Sequence, residues 1–259
     1  MIGRWVSTLR ANDNQMIAAD VPKPRLHADK LGAVSLPLIA NMKTAILGLF
    51  AGQIQAMPGD GRPTAIFKAP VIGRIRVGFE GLANDVQADR RVHGGPEKAV
   101  HHFPLETHAR LAREFPDAAA GLVAGGLGEN ISTLGLDESS VCIGDVFTCG
   151  SVRVQVCQPR TPCWKIEARH GVEGITRHIA NAGIAGWYYR VLAVGEVAPG
   201  DELALIERAD DPVSLAEFWQ TVHRHRPEPE ALLRLASAPG LAASWQRKLR
   251  ERIDWLRAN

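Results

Sequence analysis

The side chains with the most reactive chemistry lie between Gln158 and Lys165, in the sequence QPRTPCWK. Two prolines fix their own φ angles and restrain the residues before them, so the chain leaves a strand-like run, 152–157, in a stiff turn. Cys163 follows, with Arg160 on one side and Lys165 on the other. Positive charge nearby favours the thiolate, which is both the nucleophilic and the metal-binding form. The turn therefore suits a reactive or metal-ligating cysteine, although these residues also fit a buried structural cysteine.

Three further polar clusters fall in or at the edge of predicted loops. The first contains Lys68, the second runs from 89 to 98 and includes His93-Gly94-Gly95, and the third is 126–130. Cationic side chains bind anions, and glycines let backbone N–H groups approach a ligand closely. Each cluster alone fits a plain turn equally well. The aromatic run 187–189 alternates like a strand, which favours a place in the core.

Composition excludes several classes of protein. The 259 residues are 46% hydrophobic and 22% charged, and the formal net charge is +2. These values are ordinary for a globular protein, and so small a net charge does not favour nucleic acid or an anionic membrane. The four cysteines form no CxxC pair, which argues against a zinc finger and favours a reducing, cytoplasmic location. No stretch reaches the ~18 apolar residues of a membrane span.

Many short strands and few helices predict a mainly β architecture with some helix (α+β), shaped like a barrel. Runs 44–50, 63–68, 186–194 and 201–207 are predicted strands, and 104–115 is a predicted helix. Val146 to Cys157 predicts a hairpin with a type II′ turn at Gly150-Ser151. In that hairpin Val152, Val154 and Val156 share the core face, whereas Cys157 lies on the other face. Asp137 and Glu138 are predicted to lie in a solvated loop.

Three segments are expected along the chain. Residues 1–41 lack a regular pattern and are predicted to be a loosely ordered extension, with the natural start of translation near Met42. Residues 42–208 form the β domain. Residues 212–259 form a three-helix domain, because Ser214-x-x-Glu217 is a capping box that begins an amphipathic helix, and two further short helices follow. Three such helices are too small for an independent core, so they are predicted to pack against the β domain.

Taken together, the clusters resemble the MOSC domain, which occurs at the C-terminus of molybdenum cofactor sulfurases. The tail resembles the three-helix domain of its YiiM-type branch, which includes the 6-N-hydroxylaminopurine resistance protein. One departure is Asn84-Asp85, where Gly-Asp is expected. No iron–sulfur CxxxxCxxC run follows the domain. The resemblance rests on residues 81–85, 89–101, 126–132, 143–145, 158–163 and 186–192.

The resemblance implies a function and a site. The family binds molybdenum cofactor (molybdopterin), and at the level of the whole family pyridoxal phosphate binding is also implied. Cys163 stands where the family places its metal ligand, and with His93 it forms the expected catalytic pair. His93 or Glu129 would relay protons. Cofactor-binding residues are expected at Lys68, Arg90, His93, Lys98, Asn130 and Arg160.

The implied reaction is reduction of a small N-hydroxylated substrate, such as a hydroxylamino purine. Its electrons would come from a separate flavin- or iron–sulfur-containing partner, since no motif for either cofactor is present. A carrier that delivers the cofactor, or sulfur as a Cys163 persulfide, uses the same residues and stays open. A cysteine hydrolase using Cys163 and His93 is disfavoured, because no GxSxG or GxCxG elbow exists. The tail is compatible with a homodimer as well as a monomer.

Overall fold

The computed structural model describes residues 42–259, so the extension predicted for 1–41 lies outside the described residues. This part of the chain is a curled half-barrel sheet of nine strands with seven helices around it and two small additional sheets. The strands are β1 Lys43–Ala45, β2 Gly48–Ala51, β3 Gln55–Ala56, β4 Pro63–Thr64, β5 Ala69–Pro70, β6 Ile75–Gly78, β7 Gly81–Leu82, β8 Val100–His102, β9 Ile131–Ser132, β10 Val146–Cys149, β11 Val152–Pro159, β12 Trp187–Ala193, β13 Gly195–Val197 and β14 Glu202–Glu207. The helices are α1 Arg90–His93, α2 Leu105–Glu114, α3 Lys165–His170, α4 Ile175–Ala182, α5 Leu215–His223, α6 Pro229–Ala236 and α7 Ala243–Ala258, with 3₁₀ turns at Pro96–Lys98 and Pro116–Ala118.

Two strands that follow one another in the chain lie far apart in the order of the main sheet. The sheet must therefore curl to bring them close together. The order is β1-β14-β10-β11-β12-β8-β9-β2-β5, yet only Ile46 and Leu47 separate β1 from β2. Ile46 N donates to Asp201 O on one side (3.0 Å), and Leu47 N donates to Ser132 O on the other (3.0 Å). The single strand predicted for 44–50 is therefore two strands, because the chain crosses between distant parts of the sheet at this point.

The central hairpin is as predicted. Phe147 pairs with Val154, and Cys149 pairs with Val152 around a two-residue turn in which Gly150 has φ +58°. Val152, Val154 and Val156 are all buried in the main core. The pairing of β11 with β12 shifts register between Val156 and Gln158. Cys157 is the extra residue there, so it lies at a bulge.

Two further local predictions were wrong. Only Pro63–Thr64 of the predicted strand 63–68 is a strand, and Ala65, Ile66 and Lys68 instead line a cavity. Glu138 is buried, not solvated, although Asp137 is exposed. The Glu138 carboxylate accepts a hydrogen bond from Gly186 N (2.8 Å) and its backbone oxygen accepts one from Ala216 N (2.7 Å). It thereby ties the start of β12 to the tail, and burial raises the pKa of its carboxyl to about 7.

The tail packs on the sheet as predicted. Ser214 caps α5 by accepting a hydrogen bond from Glu217 N (3.0 Å). Phe218, Trp219 and Trp245 pack edge to face against one another and belong to the same buried cluster as the hairpin valines. One continuous core thus spans the sheet and the tail. Among residues 42–259, no helix is long and apolar enough to cross a membrane.

Candidate cofactor-binding cavity

A cavity opens beside the end of β11, with about 570 Å³ of empty space that includes part of the solvent at its mouth. It brings together segments that are far apart in sequence: the stretch before β5, the loop through α1, the loop before β9 and the turn after β11. Its polar lining residues are Thr64, Lys68, Asp85, Gln87, His93, Lys98, His101, Asn130, Arg160, Cys163, Lys165 and Tyr188. Two of the residues predicted for the site, Arg90 and Glu129, do not line it. Arg90 pairs instead with Glu80, and both side chains are exposed.

Cys163 differs from the other cysteines of the described chain. It is partly exposed in the cavity wall, whereas Cys142, Cys149 and Cys157 are buried. Its backbone oxygen accepts hydrogen bonds from Ile166 N (3.1 Å) and Thr176 Oγ1 (3.4 Å). The start of α3 and the start of α4 therefore hold the backbone that carries the thiol.

Arg160 has an unused donor in the buried cavity wall. Its backbone N–H donates to Gly186 O (3.0 Å), and its Nη2 donates to Leu127 O (3.0 Å). Nη1 is buried and has no hydrogen-bond partner among the described residues. A buried guanidinium N–H without a partner is costly, and a bound anion would satisfy it.

Lys68 and Asp85 form a buried ion pair on another part of the wall. Their Nζ–Oδ2 distance is 2.7 Å, and the side chains are 8% and 2% exposed. Asn130 Nδ2 donates to the same carboxylate oxygen (2.9 Å) and to Phe50 O (3.1 Å). The Asn130 amide oxygen accepts a hydrogen bond from His101 N (3.0 Å). Both donors of Asn130 are thus committed to the protein itself.

The departure from Gly-Asp at residues 84–85 has a clear structural basis. Asn84 has φ +62°, and it is the one non-glycine residue with positive φ in the described chain. Glycine adopts this conformation freely, and asparagine tolerates it better than other residues do. Gln53 Nε2 donates to Asn84 O (2.6 Å), which helps to hold the turn.

His93 and Lys98 lie on the loop through α1. Asp89 caps this short helix by accepting a hydrogen bond from Arg91 N (3.1 Å). Lys98 Nζ donates to Val92 O, and burial lowers the pKa of Lys98. Burial first, and then the charges of Lys165, Arg160 and Lys98, lower the pKa of His93 to about 4. His93 is therefore neutral at pH 7, and its buried Nδ1 has no hydrogen-bond partner among the described residues.

Glu129 lies behind the cavity and not in its lining. Its carboxylate accepts hydrogen bonds from His108 Nε2 (2.6 Å), Gly125 N (2.6 Å), Leu127 N (3.0 Å) and Ser132 Oγ (3.1 Å). Burial opposes ionisation, but these donors outweigh it and lower the pKa of Glu129 to about 2. The residue shapes the loop that carries Leu127 and Gly128, which do line the cavity.

Five polar lining residues were not predicted as members of the site, namely Thr64, Asp85, Gln87, His101 and Tyr188. Lys165 was noted only as a cation beside Cys163. A signal for Asp85 was present, because Asp85 belongs to the segment 81–85 on which the family resemblance rests. His101 and Tyr188 also belong to such segments, but both lie within strands and each fits a core position equally well.

Comparisons with known proteins agree with this fold. Residues 89–204 match the MOSC domain, and residues 213–254 match the YiiM-like three-α-helix domain. Protein YiiM of Escherichia coli (strain K12) is 41% identical over 205 residues, which are 79% of this chain and 90% of that protein. A protein of Gibberella moniliformis named reductase is 33% identical over 165 residues, 63% of this chain and 29% of that protein.

A solved structure shows the same architecture. The crystal structure of YiiM from Geobacillus stearothermophilus superposes with a TM-score of 0.68 at 31% identity, and the match covers 81% of this chain and 99% of that one. The two family matches together extend from residue 89 in the β domain to residue 254 in the three-helix tail. The chain therefore belongs to the MOSC-domain family, in the group whose MOSC domain is followed by a YiiM-like three-helix domain.

Proposed function

We propose that this protein is an oxidoreductase that binds molybdenum cofactor and reduces small N-hydroxylated compounds, such as hydroxylamino purines. Its electrons come from a separate flavin- or iron–sulfur-containing reductase. Membership of the MOSC family and a relative named reductase support an oxidoreductase-type role. The observation that carries the proposal is the position of Cys163, a partly exposed thiol in a cavity lined by Lys68, Lys98 and Arg160.

The lining residues fit a metal that arrives with its own organic ligand. Among residues 42–259, no group of three or more His, Cys, Asp or Glu side chains could hold a metal ion. Cys163 would thus be a single protein ligand, and a soft thiolate suits a metal already bound by dithiolene sulfur. The unpartnered Nη1 of Arg160 and the ammonium groups of Lys98 and Lys165 supply donors for a phosphate.

The proposed reaction converts R–NHOH, two electrons and two protons into R–NH₂ and water. When bound, the cofactor supplies a two-electron metal centre for this N–O cleavage. The protein must deliver protons, and neutral His93 is suited to do so because an imidazole accepts a proton at one nitrogen and releases one from the other. Glu129 has no place in this step, since it does not line the cavity.

Metal and pterin analysis tests the proposal. Protein would be purified from cells with and without cofactor biosynthesis, and its molybdenum and pterin contents measured. We expect both in wild type from the replete host, together with turnover of a hydroxylamino purine when a reduced donor is added. Wild type that contains neither molybdenum nor pterin under replete conditions would contradict the proposal.

A carrier role for the same thiol is the second candidate. It is favoured by the partial exposure of Cys163, which an acceptor protein could reach. Two measurements separate the candidates. An enzyme turns over the N-hydroxylated substrate many times with added donor, whereas a carrier gives no turnover but transfers cofactor or persulfide sulfur to a second protein.

A further inference from the structure

The carboxylate of Asp85 joins three separate segments at the cavity wall. Its Oδ1 accepts a hydrogen bond from Gly52 N (2.8 Å), and its Oδ2 accepts from Lys68 Nζ (2.7 Å) and Asn130 Nδ2 (2.9 Å). Val86 N donates back to Gly52 O (3.0 Å), so the two backbones are fastened in both directions. Because three donors bind one buried carboxylate, the side chains of Lys68 and Asn130 and the backbone of Gly52 are held more tightly than a single ion pair would hold them.

Lys68 keeps donor capacity that the protein does not use. An ammonium group has three N–H donors, and within residues 42–259 Lys68 Nζ donates to Asp85 alone. Because Lys68 lines the cavity, the remaining N–H groups are available to a ligand there. Asn130 is different, since both of its donors are spent on Phe50 and Asp85.

The charge of Lys68 depends on Asp85. Burial lowers the pKa of Lys68, while the charge of Asp85 and its hydrogen bond raise it. The charge of Glu129 also raises the pKa of Lys68, whereas the charge of Arg160 lowers it. Without Asp85, Lys68 would be a buried cation near a second cation, which is a strongly unfavourable arrangement.

We propose that Asp85 is the positioning residue of the cavity: it holds the Lys68 ammonium charged and oriented so that Lys68 donates to an anionic or polar group of the bound cofactor. Asp85 does not itself contact the ligand in this role. Asn84 contributes by taking the left-handed conformation that starts the turn carrying Asp85. The inference rests on the proposed function for the identity of the ligand, but not for the effect of Asp85 on Lys68.

The first test uses the protein without cofactor. Lysine side chains labelled with ¹³C at Cε would be titrated by NMR in wild type and Asp85→Asn, and the Lys68 signal assigned from its loss in Lys68→Met. We expect Lys68 to lose its proton at lower pH in Asp85→Asn than in wild type. An unchanged Lys68 titration would overturn the inference, whether or not the protein binds a cofactor.

The second test measures cofactor retention. Molybdenum and pterin content after gel filtration should fall about tenfold in both Asp85→Asn and Lys68→Met, the loss expected for one charge-assisted hydrogen bond. The double variant should retain as much as the worse single variant, because Asp85 acts through Lys68. The double variant also removes both buried charges. It should therefore fold even if Asp85→Asn alone does not. Additive losses would overturn the inference.

Asp145→Asn is the matched control. Asp145 is also buried, pairs with Arg208 (2.6 Å) and accepts a hydrogen bond from Cys142 N (2.8 Å), but it does not line the cavity. The Asp145→Asn variant should lose thermal stability, as Asp85→Asn does, but its cofactor retention should equal that of wild type. Equal retention losses in both variants would show that Asp85 has only a structural role, and would overturn the inference. Absence of cofactor from wild type would instead count against the proposed function.

Discussion

The Gly126–Asn130 loop and the Arg160–Lys165 turn lie side by side, joined by the hydrogen bond from Arg160 Nη2 to Leu127 O (3.0 Å). In the loop, the buried carboxylate of Glu129 receives four hydrogen bonds from the protein. In the turn, Arg160 Nη1 has no described partner and Cys163 is partly exposed. The loop is satisfied internally and shapes the cavity, whereas the turn has capacity left for a ligand.

The same contrast separates two cysteines on one stretch of chain. Cys157 Sγ lies 3.0 Å from Glu97 O and 3.4 Å from Tyr188 O, and burial raises its pKa to about 12. Cys163 lies past the end of β11, where the chain has left the sheet. Residue type alone therefore does not distinguish a structural thiol from a reactive one, and the surroundings do.

Replacing Glu129 should give the largest loss of stability. Glu129→Gln replaces a buried carboxylate that accepts four hydrogen bonds, so we expect the free energy of unfolding to fall by about 3 kcal/mol, measured by urea denaturation. Because the folded-state pKa of Glu129 is depressed from 4.5 to about 2, its contribution is complete above about pH 4.5 and is lost as the pH falls towards 2. Glu129→Gln should therefore flatten the acid limb of the stability curve. A cavity-facing catalytic role would instead leave stability near that of wild type.

Replacing Cys163 should lower activity strongly and stability only slightly, which is the reverse of the effect expected for Glu129. Cys163→Ala is expected to lower turnover of a hydroxylamino purine by at least about a hundredfold, since even residues that only support a metal ligand cost 10–100-fold. The free energy of unfolding should change by no more than about 0.5 kcal/mol, because the thiol is partly exposed. A large loss of stability with little loss of activity would reverse the contrast between turn and loop.

Replacing Cys157 provides the paired control. Cys157→Ala removes a buried thiol at a bulge, so the free energy of unfolding should fall by about 1 kcal/mol. Cofactor content and turnover per folded molecule should stay close to wild type. If Cys157→Ala abolished metal binding while Cys163→Ala did not, the assignment of the two thiols would be exchanged.

Thiol labelling tests the contrast between the cysteines without any substitution in the chain. Burial raises the pKa of Cys149 and Cys157 to about 12 and that of Cys142 to about 11. At pH 8 the thiolate fraction of Cys157 is thus on the order of 10⁻⁴. We expect iodoacetamide to label Cys163 first and the other three cysteines only after unfolding, as peptide mass spectrometry would show. Bound cofactor should protect Cys163.

Much of the architecture could be predicted because it depends on local patterns. Alternating valines and a Gly-Ser turn specify the hairpin, and the Ser214 capping box specifies the start of α5. The sequence could not show that 44–50 breaks into two strands, since that break depends on where distant strands lie. It also could not show that Glu138 is buried, because Gly186 N, its hydrogen-bond partner, is remote in sequence.

The sequence by itself indicated which segments line the cavity: the loop with His93, the loop with Asn130 and the turn with Cys163 were predicted from their polar residues and from the resemblance of their order to the MOSC domain. Only the tertiary structure decided what each side chain does. It showed that Glu129 and Asn130 spend their polar atoms on the protein, that Arg90 faces Glu80, and that Asp85 supports Lys68. The reason is physical: whether a polar group is free for a ligand depends on the donors and acceptors around it, and in this cavity those come from distant parts of the chain.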